Sequence, residues 1–145
     1  MSRILIVEDD ALLAHLVSDM LARDGHDVQV AGDGAAAIAR AAASPPELLL
    51  LDVNLPDSDG IEICRRVRAT EAADRRATIV MVTGRHDTAA KLLAFSVGAD
   101  DYLVKPIDVV ELRSRVARWV AARGEQADLV LRRRRDADGW SARTG

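Results

Sequence analysis

LLLLDVNLPDSDG, Leu48 to Gly60, is the stretch that decides how the rest of the chain must fold. Four successive leucines leave no polar face, so the run is predicted to be a central strand buried on both sides. Asp52 stands where that strand leaves the core, and Pro56, Asp57, Ser58, Asp59 and Gly60 make the loop beyond it. Ligands of an open parallel sheet bind outside the carboxyl ends of its strands. Asp52 is therefore the first candidate functional residue.

Outward from this run the chain alternates. Before it come a short apolar strand, Arg3–Val7 (RILIV), and a helix over Ala11–Asp24 ended by Gly25. Leu12, Leu16 and Met20, with Leu13, Val17 and Leu21, give that helix an apolar stripe. A strand with alternating pattern, Asp27–Ala31, and an alanine-rich helix, Gly34–Ala43, lead to Ser44-Pro45-Pro46, where proline forbids continuation. After the run, Asp59 is placed to cap a helix over Gly60–Thr70. Thr78–Val82 is a second buried strand ending at Thr83-Gly84, and Thr88–Val97 a helix closed by Gly98. Asp101–Lys105 is the last strand and Val109–Arg123 the last amphipathic helix. Strands alternating with helices imply an α/β fold with a parallel sheet covered on both faces.

Composition sets the limits. A chain of 145 residues, 49% hydrophobic and 30% charged, is long enough for one domain with a real core. No stretch approaches a membrane span and no signal peptide is expected at the start. The single cysteine, Cys64, excludes an internal disulfide and suits a reducing, cytoplasmic location. Residues 1–64 carry twelve acids against three bases, although the net charge of the chain is only -3. An acidic excess around Asp52 points to a cation rather than to nucleic acid.

Projected onto one edge of the sheet, the strand ends contribute Glu8 and Asp9, then Asp52, then Thr83, then Lys105. Two unit charges about 4 Å apart repel by roughly 4 kcal/mol at an effective dielectric of 20. Three crowded carboxylates therefore call for a counter-charge. Oxygen ligands with no His or Cys nearby favour Mg2+, with Mn2+ as the alternative, over zinc. Carboxylates, a hydroxyl and an ammonium around one metal make a place for a phosphoryl group.

The stretches ILIVEDD, LLLLDVNLPDSDG, VMVTG and GADDYLVKP, in this order and spacing, resemble the response-regulator receiver domain of two-component signalling. The resemblance covers about residues 1–123 and leaves 124–145 as a helical extension, linker or disordered tail. It implies a flavodoxin-like, doubly wound five-stranded parallel sheet of order 2-1-3-4-5, with helices on both faces. It also implies that Asp52 accepts a phosphoryl group from the phosphohistidine of a histidine kinase or histidine phosphotransfer protein. Glu8, Asp9, Asp52 and the backbone carbonyl of Asn54 match its metal ligands. Thr83 and Lys105 match the residues that hold the phosphoryl oxygens, Pro106 the proline of a cis Lys-Pro peptide, and Tyr102 the switch aromatic. The implied product is a changed surface, so the domain is expected to assist its own phosphorylation and dephosphorylation rather than to turn over a substrate.

Asn54 and Arg85, each two residues beyond a site residue, match positions that set the lifetime of the phosphoryl group, and Arg85 is expected to shield it from water. In the fourth helix, Ala89, Leu93 and Val97 are expected to face inward, leaving Leu92 and Phe95 as an exposed pair. With Lys91, Asp101, Glu111 and Arg115 around them, they resemble the homodimer face of receivers attached to winged-helix DNA-binding domains, although Arg113 would interrupt it. Cys64 is expected in the core, and His15, His26 and His86 on the surface. Asp10 and Asp59 are read as helix caps, and Arg132–Arg135 as a solvated helix face with no nucleic-acid or membrane role.

Three other readings fit less well. A haloacid-dehalogenase-like phosphatase would carry its nucleophile on the first strand with a second Asp two residues on. A flavin carrier would have a Ser-, Thr- and Gly-rich first loop where this chain has EDD. A phosphorylation-independent interaction domain would have no use for all five site residues.

Overall fold

The computed structural model describes residues 2–84 and 88–144. Arg85 and His86 lie outside the described residues, and so does the expectation that Arg85 shields a phosphoryl group. The chain divides into two compact units, Met1–Arg113 and Ser114–Gly145.

The first unit holds five strands: β1 (Arg3–Val7), β2 (Asp27–Ala31), β3 (Leu48–Asp52), β4 (Thr78–Thr83) and β5 (Asp101–Val104). They pair in parallel in the order β2-β1-β3-β4-β5. Between them run α1 (Ala11–Arg23), α2 (Gly34–Ala43), α3 (Gly60–Thr70) and α4 (Thr88–Ser96), and α5 (Val109–Thr144) follows β5. Each of the five residues of β3 is buried, as the unbroken leucine run requires. Its odd-numbered residues, Leu49 and Leu51, join a core with Leu5, Ile79 and Met81 and with Ile63 and Cys64 of α3. Its even-numbered Leu50 meets Ile6 and Val82 beside Ala14 and Val17 of α1 and Leu112 of α5. The sheet is thus covered on both faces.

Aspartates start the helices. Asp10, Asp33 and Asp59 each accept a backbone N–H of the first turn of α1, α2 and α3, and Asp108 accepts those of Val110 and Glu111. At the other end of the sheet Arg68 ties α3 to the segment before β5. Its guanidinium donates to Gly98 O at 2.8 and 2.9 Å, to Ala77 O at 2.7 Å, and to Glu71 and Asp100 at 2.8 Å.

Several helix faces differ from expectation. In α1 the buried stripe is Ala14, Val17 and Leu21, while Leu12 and Leu16 are exposed. In α4 Ala94 is buried and Val97, just past the helix, packs against the core, but Leu93 is half exposed and Ala89 exposed. An alanine takes an inward place in each helix, Ala14 in α1 and Ala94 in α4, while Leu12, Leu16, Leu92 and Leu93 are turned out. Leu92, Leu93 and Phe95 together therefore form the exposed apolar face of α4. His26 is half-buried rather than on the surface, and its Nδ1 has no hydrogen-bond partner among the described residues. His15 is exposed and Cys64 fully buried, as expected, with burial raising the thiol's pKa. Arg113 is drawn to the end of α1, where it pairs with Asp24 at 2.6 Å.

The second unit is helical. α5 continues without a break past Arg123 to Thr144, and Arg115 lies over the Trp119 ring, 5.2 Å from its centroid. Among the described residues no helix is long and apolar enough to cross a membrane.

Candidate functional site

The parallel register aligns the strand ends, and the ends carry the chemistry. Asp52, the last residue of β3, pairs with Val82, one residue before Thr83 at the end of β4. Lys105 follows β5, and its backbone N–H donates to Thr83 O at 2.7 Å. Glu8 follows β1, with its N–H donating to Ala31 O at 3.1 Å. Glu8, Asp52 and Thr83 are buried, whereas Asp9 is exposed at the mouth. The third acid of the run, Asp10, is taken up as the cap of α1, with Oδ1 accepting from Leu12 and Leu13 N–H.

Glu8, Asp9 and Asp52 each place a carboxylate oxygen within 4.8 Å of the other two. The Lys105 ammonium sits among them, 3.1 Å from both Glu8 oxygens and 3.0 Å from Asp52 Oδ2. Asp52 Oδ1 accepts the Asn54 N–H at 2.9 Å, so both oxygens of Asp52 are oriented.

One ammonium does not balance this much buried negative charge. Burial, together with the neighbouring Asp52 carboxyl, pushes the Glu8 pKa up to about 7 against the lowering effect of Lys105. Burial works to lower the pKa of Lys105, but its bonds to Asp52 and Glu8 outweigh it and hold the ammonium above its ordinary value. Three carboxylates against one ammonium make a setting that electrostatically favours a further cation. The donors are all oxygens, which suits Mg2+ or another small hard ion.

The loop beyond β3 is closed on itself. Gly60 N–H donates to Val53 O at 2.9 Å, and Asn54 and Asp59 form an antiparallel bridge. A Cβ on Gly60 would come within 2.5 Å of Asp52 O and 2.7 Å of Val53 Cα, so only glycine allows α3 to start so near the strand. Asp9, Asn54 and Thr83 share the wall of a cleft of about 550 Å3 with Leu93 and Tyr102. Tyr102 is buried, and the Lys91 ammonium lies over its ring, 5.1 Å from the centroid. The Lys105–Pro106 peptide is cis, as expected.

A family model described as the response regulator receiver domain matches residues 4–117. The chain belongs to this family. The receiver domain of this chain is 37% identical over 130 residues to the response regulator ArlR of Staphylococcus saprophyticus, covering 90% of this chain and 57% of that protein. It is 43% identical over 114 residues to the DNA-binding response regulator MtrA of Mycobacterium leprae, covering 79% of this chain and 49% of that protein. The chain thus spans about half the length of the curated relatives it matches.

Among solved structures, the receiver is similar to the chemotaxis protein CheY4 of Vibrio cholerae, with TM-score 0.76 and 30% identity over 81% of this chain and 98% of that one. It is also similar to the BeF3-activated N-terminal receiver domain of Klebsiella pneumoniae RstA, with TM-score 0.71 and 31% identity over 79% and 95%. The flavodoxin-like sheet, its 2-1-3-4-5 order and the resemblance to the receiver domain of two-component systems therefore hold.

The fold brings together Glu8, Asp9, Asp52 and Lys105, and Thr83 and Asn54 adjoin them. Lys105 reaches Glu8 across 97 positions, as the shared sheet edge requires. One contact has no signal in the sequence: the tip of the loop after β3 is tied to α2 across 23 positions, by Asp57 to Gly34.

Proposed function

We propose that this receiver domain is a phosphoacceptor: Asp52 takes a phosphoryl group from the phosphohistidine of a histidine kinase or histidine phosphotransfer protein in a Mg2+-dependent reaction. The observation that carries this reading is the Lys105 ammonium held between Asp52 and Glu8 with Asp9 at the mouth. An Asp52 oxygen forms a bond to phosphorus as the P–N bond breaks, and the electron pair leaves with the imidazole nitrogen. Glu8, Asp9, Asp52 and the Asn54 carbonyl would hold the cation, which when bound supplies positive charge beside the transferring oxygens. Lys105 adds a fixed charge to those oxygens, and the Thr83 hydroxyl is at the strand end nearest to donate to them.

Phosphorylation turns a single negative charge into about two and adds strong acceptors. Thr83 and Lys105 move toward them, and Tyr102, on the wall of the same cleft, follows. The altered face of α4, β5 and the first turn of α5 then supports a homodimer through Leu92 and Phe95 with Lys91, Asp101 and Glu111. The domain itself acts on no second substrate, binds neither DNA nor membrane, and works in the cytoplasm.

Beryllofluoride with Mg2+ tests the reading. Amide signals of Thr83, Tyr102 and Lys105 are expected to shift in the wild type and not in Asp52→Asn. Unchanged signals in the wild type would reject it.

A further inference from the structure

The loop that follows Asp52 is closed at its base, and what fixes its tip lies outside it. Asp57 Oδ1 accepts the backbone N–H of Gly34, the first residue of α2, at 3.1 Å. Ser58 packs against the same residue. A Cβ on Gly34 would lie 2.2 Å from Ser58 Oγ and 2.6 Å from Ser58 Cβ. Rotating the hydroxyl could relieve the first contact but not the second. Alanine is a far better helix former than glycine, and α2 is otherwise rich in it, with five of the six residues Gly34 to Ala39 being Ala or Ile. Glycine at position 34 therefore serves close approach of the loop rather than the helix.

We propose that this joint positions the site: Asp57, with Gly34 as its seat, holds the main chain of Asn54 in register with Asp52. The inference rests on the proposed reading, in which the Asn54 carbonyl is a metal ligand. The mechanical path is short. Asn54 is fastened on one side to Asp52 Oδ1 through its N–H and on the other to Asp59 through the antiparallel bridge. Asp57 lies between these fixed points, and its bond to α2 stops the segment 55–58 from swinging. Groups that orient metal ligands from outside are worth about 10–100-fold in metal affinity when removed. Asp57 and Gly34 are positioning residues: neither is among the carboxylates that face the cation.

The test is Mg2+ affinity by calorimetry, with circular dichroism of each variant to establish folding. Asp57→Ala is expected to weaken Mg2+ about ten-fold and Asp57→Asn, whose amide oxygen still accepts the Gly34 N–H, by no more than about two-fold. Gly34→Ala is expected to weaken it as Asp57→Ala does, and Gly34→Ala with Ser58→Gly, which removes both clashing atoms, to restore it. Equal weakening by Asp57→Asn and Asp57→Ala would mean that only the charge matters and would overturn the proposal. So would wild-type affinity in Asp57→Ala, or no recovery in the double variant. If Asp57→Ala does not fold, the Gly34 and Ser58 variants decide. A wild type that binds no Mg2+ would overturn the phosphoacceptor reading itself, and this inference with it.

Discussion

Lys105 Nζ lies 3.0 Å from Asp52 Oδ2 and 3.1 Å from both oxygens of Glu8, so one ammonium joins the ends of β1, β3 and β5. Removing it leaves two buried carboxyl groups facing each other and takes a fixed charge from the phosphoryl position. Lys105→Met is expected to slow Mg2+-dependent phosphorylation by acetyl phosphate by about 100-fold. The measurement is the rate of mass gain, and a rate near that of the wild type would refute the role.

Glu8 makes stability depend on pH in an unusual direction. Its folded pKa, about 7, lies above the ordinary value of 4.5, so between those pH values the folded chain binds more protons than the unfolded chain. Stability without divalent ions therefore falls as pH rises through this window. Mg2+ competes with the proton and is expected to flatten or reverse the slope. Thermal midpoints from pH 5 to pH 8, with EDTA and with Mg2+, check this, and Glu8→Gln should lose both effects.

Arg68 is a structural hub remote from the site. Its side chain is 14% exposed, and its loss takes a donor from the carbonyls of Gly98 and Ala77 and leaves the Glu71 carboxylate with the Ala77 N–H and that of Asp100 with the Ile79 N–H and Arg76. Arg68→Ala is expected to destabilise the domain by about 3 kcal/mol. Denaturant unfolding measures it. Arg113→Ala, which breaks a solvent-exposed pair with Asp24, should shift the midpoint far less.

Leu92, Leu93 and Phe95 form an apolar face on α4 with exposures of 65%, 50% and 46%. If the homodimer uses this face, Leu92→Asp and Phe95→Asp will keep the beryllofluoride-bound chain monomeric in sedimentation while the wild type gains mass. Dimerisation of both variants would place the interface elsewhere.

The sheet and most of the site were legible because period and position carry them. Leu48–Asp52 has no polar face, so it had to be central, and in a parallel sheet its last residue had to share an edge with Glu8, Thr83 and Lys105. The faces of α1 and α4 were not legible. Each helix carries more apolar side chains than its inward side can hold, and the pattern alone does not say that Ala14, Val17 and Leu21 of α1 and Ala94 of α4 are the ones turned in. The Asp57–Gly34 bond was hidden for another reason. Asp57 reads as an ordinary loop acid, and only the folded chain shows that a helix start 23 positions earlier lies within reach.

The most direct measurement is the intact mass, with peptide mapping, after incubation with acetyl phosphate and Mg2+. A gain of one phosphoryl group located on Asp52 is expected, lost with EDTA and lost in Asp52→Asn. A phosphoryl group on another residue, or none at all in the folded wild type, would contradict the phosphoacceptor reading.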